Sequence, residues 1–174
     1  MDRVLIFAYG SNMNPEDVSN WLKGSDYDPQ RISKLIENLI KSAKVGVLEG
    51  YELVWNYYSS TRGGGAVNIQ ERVRKEVWGV TYEADEEWQG IFDKKEGYPN
   101  FYRRIKARVK LKNGELVECF AYKVRKEKES SSLDVWPTEE YRNIIIQGAK
   151  RWGLPGEYIR MLESLFTQSE PRRC

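Results

Sequence analysis

The chain has 174 residues, with 28 basic and 26 acidic side chains, a net charge of +2 and no histidine. A charge so close to balance gives no electrostatic reason to expect nucleic acid or a membrane surface as a partner. The absence of imidazole excludes Ser-His and Cys-His catalytic pairs, so any proton transfer falls to carboxylate, lysine or tyrosine.

The first predicted element is an apolar strand that starts at Val4 and ends in the polar turn Tyr9-Gly10-Ser11-Asn12. Asn14 suits a helix cap and Pro15 the first helical position, so the turn leads into a helix N-terminus. Backbone N–H groups exposed in such a turn can bind an anion or a carbonyl oxygen. Spacing alone favours an ordinary strand-to-helix connection, in which the polar side chains satisfy local backbone groups.

Apolar periodicity and turn residues predict the elements that follow. We expect helices at residues 15–23 and 32–40, strands at 44–48, 51–57, 66–70 and 76–82, and a helix at 85–95 that Gly97 ends. Two further strands, 101–111 and 116–124, flank Asn113-Gly114, the strongest short hairpin signal, because both residues tolerate positive φ. Trp55, Trp78 and Trp88 fall in apolar patterns and are predicted to be core residues.

The C-terminal part is predicted to be helical. Residues 125–132 are charged and Ser-rich, which indicates an exposed connection, and a helix then runs from Pro137 to about Trp152. Gly153 ends this helix and Pro155 starts a shorter one. The predicted strands come first in the chain, and the helices are inserted between them or added after them. This order indicates an α+β fold with a largely antiparallel sheet. We expect a single domain over residues 1–167 and a flexible tail over 168–174.

The two cysteines, Cys119 and Cys174, make neither a disulfide framework nor a CxxC metal pair. This usage favours the reducing cytoplasm. The apolar run near the N-terminus is too short to span a membrane and lacks a secretion-type cleavage pattern. We therefore expect a cytoplasmic protein with no membrane partner.

Several segments, in order and spacing, carry a resemblance to a known family: residues 7–12 (FAYGSN), 64–69 (GGAVNI), 77–80 (VWGV), 93–97 (DKKEG), 147–150 (QGAK) and 153–158 (GLPGEY). Together they resemble the γ-glutamylcyclotransferase family and its wider AIG2-like superfamily nearly end to end. The resemblance implies a small, closed, mixed and largely antiparallel β-barrel with peripheral helices. Homodimer formation is an expectation from the family alone.

Members of this family cyclise a γ-glutamyl group to 5-oxoproline and release an amine, and some act in glutathione metabolism. The substrate's own α-amino group is the nucleophile, and one carboxyl group can handle both proton steps. The resemblance therefore implies an acyltransferase or lyase of this type, with a small-molecule γ-glutamyl substrate and with no cofactor and no metal. The leaving group stays open between an α-amino acid, the ε-amine of lysine, a dipeptide and a polyamine.

The resemblance assigns Glu96 as the catalytic acid and base, although sequence alone favours an ordinary solvated charge at a helix end. Burial and the negative end of the helix dipole would raise its pKa. Lys94 and Lys95 oppose that shift only if their ammonium groups approach, and neighbouring positions on a helix point elsewhere.

The same resemblance implies that the substrate is bound by Tyr9, Gly10, Ser11, Asn12, Tyr102 and Tyr122. For the last two tyrosines, half-buried packing with a hydrated hydroxyl is an equally good interpretation. Asn68 would either line the site or cap a strand edge. Arg62, in a Gly-rich loop near the barrel mouth, could meet a substrate carboxylate.

Two further hypotheses stay open at this point. The first is a non-catalytic binding module that keeps the pocket for a γ-glutamyl or related amino-acid derivative without turning it over. The second is a scaffold for protein association built on exposed aromatic segments.

Overall fold

The computed structural model describes residues 3–169, in which five strands close into a barrel in the order β1-β3-β2-β4-β5. β1 and β5 pair in parallel, and the other neighbouring strands pair antiparallel. The α+β class and the mixed, largely antiparallel barrel are therefore confirmed. The strands are β1 (Val4–Ala8), β2 (Lys44–Ser59), β3 (Gly64–Ala84), β4 (Tyr102–Leu111) and β5 (Leu116–Val124).

Five α-helices surround the barrel: α1 (Pro15–Lys23), α2 (Pro29–Ser42), α3 (Glu86–Glu96), α4 (Glu139–Arg151) and α5 (Gly156–Glu163). Side-chain caps mark the start of α1, α2, α3 and α4, whereas α5 follows Pro155 without one. Asn14 accepts hydrogen bonds from the N–H groups of Glu16 and Asp17, as its position before Pro15 predicts. Thr138 caps α4 in the same way. None of the helices in the described part of the chain has the length and apolar character that crossing a bilayer requires.

The predicted strand pattern is wrong at β2 and β3, because each of these long strands covers two of the four shorter strands that were expected. The predicted break at Glu49-Gly50 is a β-bulge, at which Gly50 takes a φ of +80° while the pairing continues on both sides. The second break falls opposite the first. Residues 72–75 loop out between Glu71 and Glu76, with Arg74 at a φ of +64°.

The β4–β5 hairpin is where the sequence placed it, but only one of its two turn residues has a positive φ. Gly114 has a φ of +87°, and its N–H donates to the carbonyl oxygen of Leu111 at 2.9 Å. The side chain of Asn113 accepts a hydrogen bond from the N–H of Glu115 at 3.0 Å instead of taking a left-handed conformation.

One continuous cluster of buried side chains joins the barrel interior to all five helices. Trp55 and Trp88 belong to it, as predicted. Trp78 packs against the cluster but is only half-buried, and its Nε1 donates to the carboxylate of Glu76 at 2.9 Å. Gln168 is the first residue of the predicted tail. Its N–H donates to the carbonyl oxygen of Pro137 at 3.0 Å. Residues 170–174 lie outside the described residues, so the domain boundary stays a prediction.

Candidate active site

A pocket of about 550 Å³ opens where the loop after β1, the β2–β3 turn and the C-terminal end of α3 meet the first residue of β4. Seven predicted site residues line it together: Tyr9, Gly10, Ser11, Asn12, Glu96, Tyr102 and Tyr122. Their roles remain to be tested, but the fold brings all of them to one cavity.

The loop after β1 forms one wall of the pocket, and the barrel and α4 support it from behind. Tyr82 of β3 donates a hydrogen bond to the carbonyl oxygen of Asn12 at 3.1 Å, and Trp152 donates to that of Met13 at 2.7 Å. A Cβ on Gly10 would lie 2.7 Å from Cγ1 of Val67, so only glycine fits there without movement. The loop therefore has one defined shape.

This loop tightens into a 3-10 turn at Ser11–Met13. The N–H of Met13 donates to the carbonyl oxygen of Gly10 at 3.1 Å and makes the first bond of the turn. The N–H groups of Ser11 and Asn12 precede that bond and have no acceptor within the turn. The sequence pattern predicts that backbone donors of this kind bind an anion or a carbonyl oxygen.

Glu96 is the last residue of α3, and Gly97 follows it with a φ of +66° and ends the helix. The side-chain amide of Asn12 donates to Oε1 of Glu96 at 2.7 Å, which joins the predicted acid to the loop. Burial raises the pKa of Glu96, whereas Lys95, Asn12 and Arg62 partly oppose the shift. The carboxyl group is therefore closer to gaining a proton at neutral pH than an exposed glutamate is.

A cluster of three charged side chains, Asp17, Arg62 and Lys95, lies beside Glu96 in the pocket. Arg62 donates to both carboxylate oxygens of Asp17 at 3.0 and 2.8 Å, and Nζ of Lys95 donates to Oδ2 at 3.0 Å. Burial works against the ionised carboxylate, but the two cations hold the pKa of Asp17 below its usual value.

The expectation that Lys95 points away from Glu96 is wrong. Its side chain is only 4% exposed and reaches into the pocket, where Nζ also lies 3.3 Å from Oγ of Ser11. A long four-carbon stem lets the ammonium group turn toward a buried carboxylate, whatever the direction of its Cα–Cβ bond.

The three predicted tyrosines line the pocket, but their hydroxyl groups are already hydrogen-bonded within the protein. Tyr9 donates to the carbonyl oxygen of Tyr122, and Tyr102 donates to that of Val67 at 3.2 Å. Burial raises the pKa of Tyr9 and of Tyr102, and Glu96 adds to both shifts, so these phenols stay neutral. Each oxygen keeps a lone pair with which it could accept a hydrogen bond from a ligand.

Tyr122 has a second connection that bears on α3. Its hydroxyl donates to Oδ1 of Asp93 at 2.7 Å, and Arg104 binds the same carboxylate through Nε at 2.9 Å and Nη2 at 2.7 Å. Asp93 lies one helical turn before Glu96. These bonds fasten the last turn of α3 to β4 and β5.

Sequence reasoning missed Asp17, Tyr57 and Tyr141 as lining residues. Asp17 looks like an ordinary acidic residue in the first turn of α1, and the two tyrosines lie in apolar patterns. None of the three therefore carries a local sequence signal for a binding site. Arg62 was anticipated near the mouth, and its guanidinium carbon lies 5.1 Å from the centre of the Tyr141 ring.

Of the two expectations for Asn68, a cap at a strand edge agrees with the structure and a place in the pocket does not. It is completely buried, donates to Oδ1 of Asn56 at 3.0 Å and to Glu129 at 3.1 Å, and accepts from the N–H of Val124, the last residue of β5, at 3.0 Å. It therefore ties β3 to β2, to β5 and to the segment that contains Glu129. Within residues 3–169, no group of three or more His, Cys, Asp or Glu side chains is placed to hold a metal ion.

Comparison with known proteins identifies relatives of this architecture. Residues 76–162, half of the chain, match the model of the AIG2-like family, a span that includes Glu96 but not the loop after β1. The γ-glutamylcyclotransferases of Bos taurus and Homo sapiens are 32% and 30% identical to the chain over 108 residues, which are 62% of this chain. The match spans only 55% of the length of each of those enzymes.

Solved structures extend the likeness over the whole fold. One titled "Gamma-glutamyl cyclotransferase" superposes with a TM-score of 0.71 at 24% identity, covering 99% of this chain and 93% of that one. An uncharacterized protein from Homo sapiens superposes with a TM-score of 0.72 at 26% identity, covering 99% of this chain and 94% of that one. At 24% identity, the likeness to the first of these two structures is evidence for the fold alone.

Proposed function

The chain belongs to the AIG2-like family, and from this premise we propose that it is a γ-glutamylcyclotransferase in which Glu96 is the general acid and base. The substrate is a γ-glutamyl amino acid or amine, and the products are 5-oxoproline and the released amine. The names of the bovine and human relatives support the reaction class.

The observation that carries the proposal is the environment of Glu96. Its carboxyl group lies in the pocket, is bonded to Asn12 at 2.7 Å and has a pKa raised by burial. A carboxyl group that takes up and returns a proton near neutral pH works best when its pKa lies close to that range. An ordinary solvated glutamate at a helix end would have none of these three features.

The chemistry uses this one carboxyl group twice. Ionised Glu96 takes a proton from the substrate's α-ammonium group, and the amine nitrogen then attacks the γ-carbonyl carbon to form the new C–N bond of the five-membered ring. As the original C–N bond breaks, Glu96 returns this proton to the leaving nitrogen. The second proton that the ring nitrogen has to lose then passes to the released amine, which departs as an ammonium ion. The sum is an internal aminolysis that consumes no water.

The loop after β1 supplies the groups that would hold the substrate. The N–H groups of Ser11 and Asn12 are suited to the α-carboxylate or to the oxygen that becomes negative as the carbonyl is attacked. The oxygens of Tyr9 and Tyr102 can accept from the α-ammonium group. Tyr122 contributes through its ring and through its bond to Asp93, which steadies the helix that bears Glu96.

The decisive experiment measures 5-oxoproline release from a panel of γ-glutamyl amino acids and amines. We expect Glu96→Gln to lower kcat by about 10²–10⁴-fold, the usual contribution of a general acid or base. Glu86→Gln is the matched control, because Glu86 is an exposed residue of the same helix and should keep full activity.

Activity that persists in Glu96→Gln would remove the assigned acid and base. If the folded wild-type protein released no 5-oxoproline, but γ-glutamyl ligands raised its Tm, the binding-module hypothesis would replace the enzyme.

Three further properties belong to the proposal and rest on composition and family resemblance. We propose a cytoplasmic enzyme that acts on γ-glutamyl compounds of glutathione metabolism and forms a homodimer. Light scattering on the purified protein tests the homodimer directly, since a monomer at micromolar concentration would contradict it.

A further inference from the structure

Lys95 and Arg62, two cations that line the pocket, lie at different depths. The side chain of Lys95 is 4% exposed and contacts Ser11 in the substrate loop, so it belongs to the floor beside Glu96. The side chain of Arg62 is 25% exposed and follows the exposed residues Ser60 and Thr61 in the β2–β3 turn. Arg62 therefore lies at the rim.

Asp17 holds Arg62 in place without using all of its hydrogen-bonding capacity. The two bonds to Asp17 engage one N–H each on Nη1 and Nη2. The other three of the five guanidinium N–H groups have no acceptor among residues 3–169, and the planar group rests against Tyr141. A fixed guanidinium with free donors is well suited to bind a second carboxylate.

The formal charges of the pocket can accommodate an anion. Asp17 and ionised Glu96 balance the two cations Arg62 and Lys95, and once Glu96 has taken up a proton these four groups keep a net charge of +1. An additional ammonium group placed at the rim would be repelled by Arg62, whereas a carboxylate would be attracted.

The proposed reaction decides which end of the substrate reaches the rim. The γ-glutamyl group has to fold back at the floor, where its amine can meet Glu96, and the leaving group has to point toward the opening through which it departs. The group next to Arg62 is therefore the leaving group.

We infer that Arg62, positioned by Asp17, recognises a carboxylate on the leaving group. The inference rests on the proposed function and narrows its substrates to γ-glutamyl derivatives of amino acids or peptides. Simple amines and polyamines, which lack this carboxylate, are then poor substrates.

The test uses two substrates that differ only in the carboxylate, γ-glutamyl-alanine and γ-glutamyl-ethylamide. We expect the wild-type enzyme to favour the alanine derivative in kcat/KM by about 10–100-fold, the range of a charge-assisted hydrogen bond. Arg62→Gln should bring this ratio close to one, because it raises KM for the alanine derivative far more than KM for the ethylamide.

Two variants separate recognition from general damage. Arg62→Lys keeps the positive charge and should recover part of the preference. Arg3→Gln removes an arginine from an exposed ion pair with Glu83 and should leave the ratio unchanged.

Each alternative outcome has a definite meaning. A wild-type enzyme that turns over both substrates equally well overturns the inference without any variant and leaves the proposed function standing. An equal loss on both substrates in Arg62→Gln also overturns it, because Arg62 would then bind the γ-glutamyl end. Release from neither substrate removes the proposed function, and the inference falls with it.

Discussion

At the scale of single residues, the environment that suits the role proposed for Glu96 carries a cost in stability. Burial disfavours its ionised form in the folded protein, whereas in the unfolded chain water solvates the same carboxylate. The raised pKa that suits proton transfer therefore makes the folded state less stable whenever Glu96 is ionised.

We predict that Glu96→Gln raises the Tm and that the gain depends on pH. Gln keeps an oxygen that can accept the hydrogen bond from Asn12 but carries no charge. Near pH 4 wild-type Glu96 is protonated and the two proteins should differ little. As the pH rises through the raised pKa, the wild type loses stability and the variant does not, so the difference should grow from pH 4 toward pH 8.

Thermal unfolding of both proteins between pH 4 and pH 8 measures this difference, at about 2–4 °C for each kcal/mol in a domain of this size. Glu86→Gln serves as the control and should show no such gain, because Glu86 is exposed. A variant that is less stable than the wild type at pH 8 would contradict the prediction.

The residues of the pocket also show how far a sequence can specify a site. Glu96 and the loop after β1 carry recognisable motifs, so they could be identified before the fold was known. Asp17 carries no such signal, because its partners Arg62 and Lys95 are distant in the chain. Nothing in the sequence around Asn68 shows that both faces of β3 are covered there, one by the core and one by the segment that contains Glu129.

At the scale of elements, helix α4 packs against the loop after β1 through a glycine. A Cβ on Gly148 would lie 3.0 Å from the backbone carbon of Met13 and 3.1 Å from the backbone nitrogen of Asn14. Gly90, in α3, is also a helical glycine, but a Cβ there would meet no atom within 4 Å. Alanine at Gly90 would therefore change helix propensity alone, whereas alanine at Gly148 would change both helix propensity and packing.

We predict opposite effects for the two alanine variants. Gly90→Ala should stabilise the protein by about 0.5–1 kcal/mol, because alanine is the better helix former, and should leave activity unchanged. Gly148→Ala gains the same propensity but pushes against the backbone after the loop, so we expect a net loss of about 1–3 kcal/mol and a higher KM.

Urea unfolding and 5-oxoproline release on the two variants measure both effects. If Gly148→Ala were stabilised as much as Gly90→Ala with KM unchanged, α4 would have no part in shaping the loop.

The elements themselves were predictable to different degrees. Helices α1 and α4 and the β4–β5 hairpin start and stop on local signals such as Asn14, Thr138 and Gly114, and these sequence assignments were close. The continuity of β2 and β3 could not be predicted in this way. In β2 a glycine indicates a break, and in β3 a charged run does. Only the pairing of the two strands on both sides of the bulge shows that the ladder continues.

At the scale of the whole molecule, the barrel and the helices share one core, and no helix has a core of its own. Tyr82 of β3 stacks on Phe92 of α3 and meets Trp152, the residue that ends α4, edge to face. The loop after β1 lies between these parts and depends on all of them. A pocket built in this way requires the entire domain to be folded.

We therefore predict that the chain unfolds in a single cooperative step, as the single-domain assignment requires. Its tryptophans report on separate parts of the molecule, with Trp21 in α1, Trp55 in β2 and Trp88 in α3. Urea transitions followed by tryptophan fluorescence and by far-UV circular dichroism should coincide. 5-Oxoproline, if it binds the folded pocket, should move both transitions to higher urea by the same amount. Two separated transitions would mean that part of the helical shell melts without the barrel, and the site would then be assembled from two independently stable units.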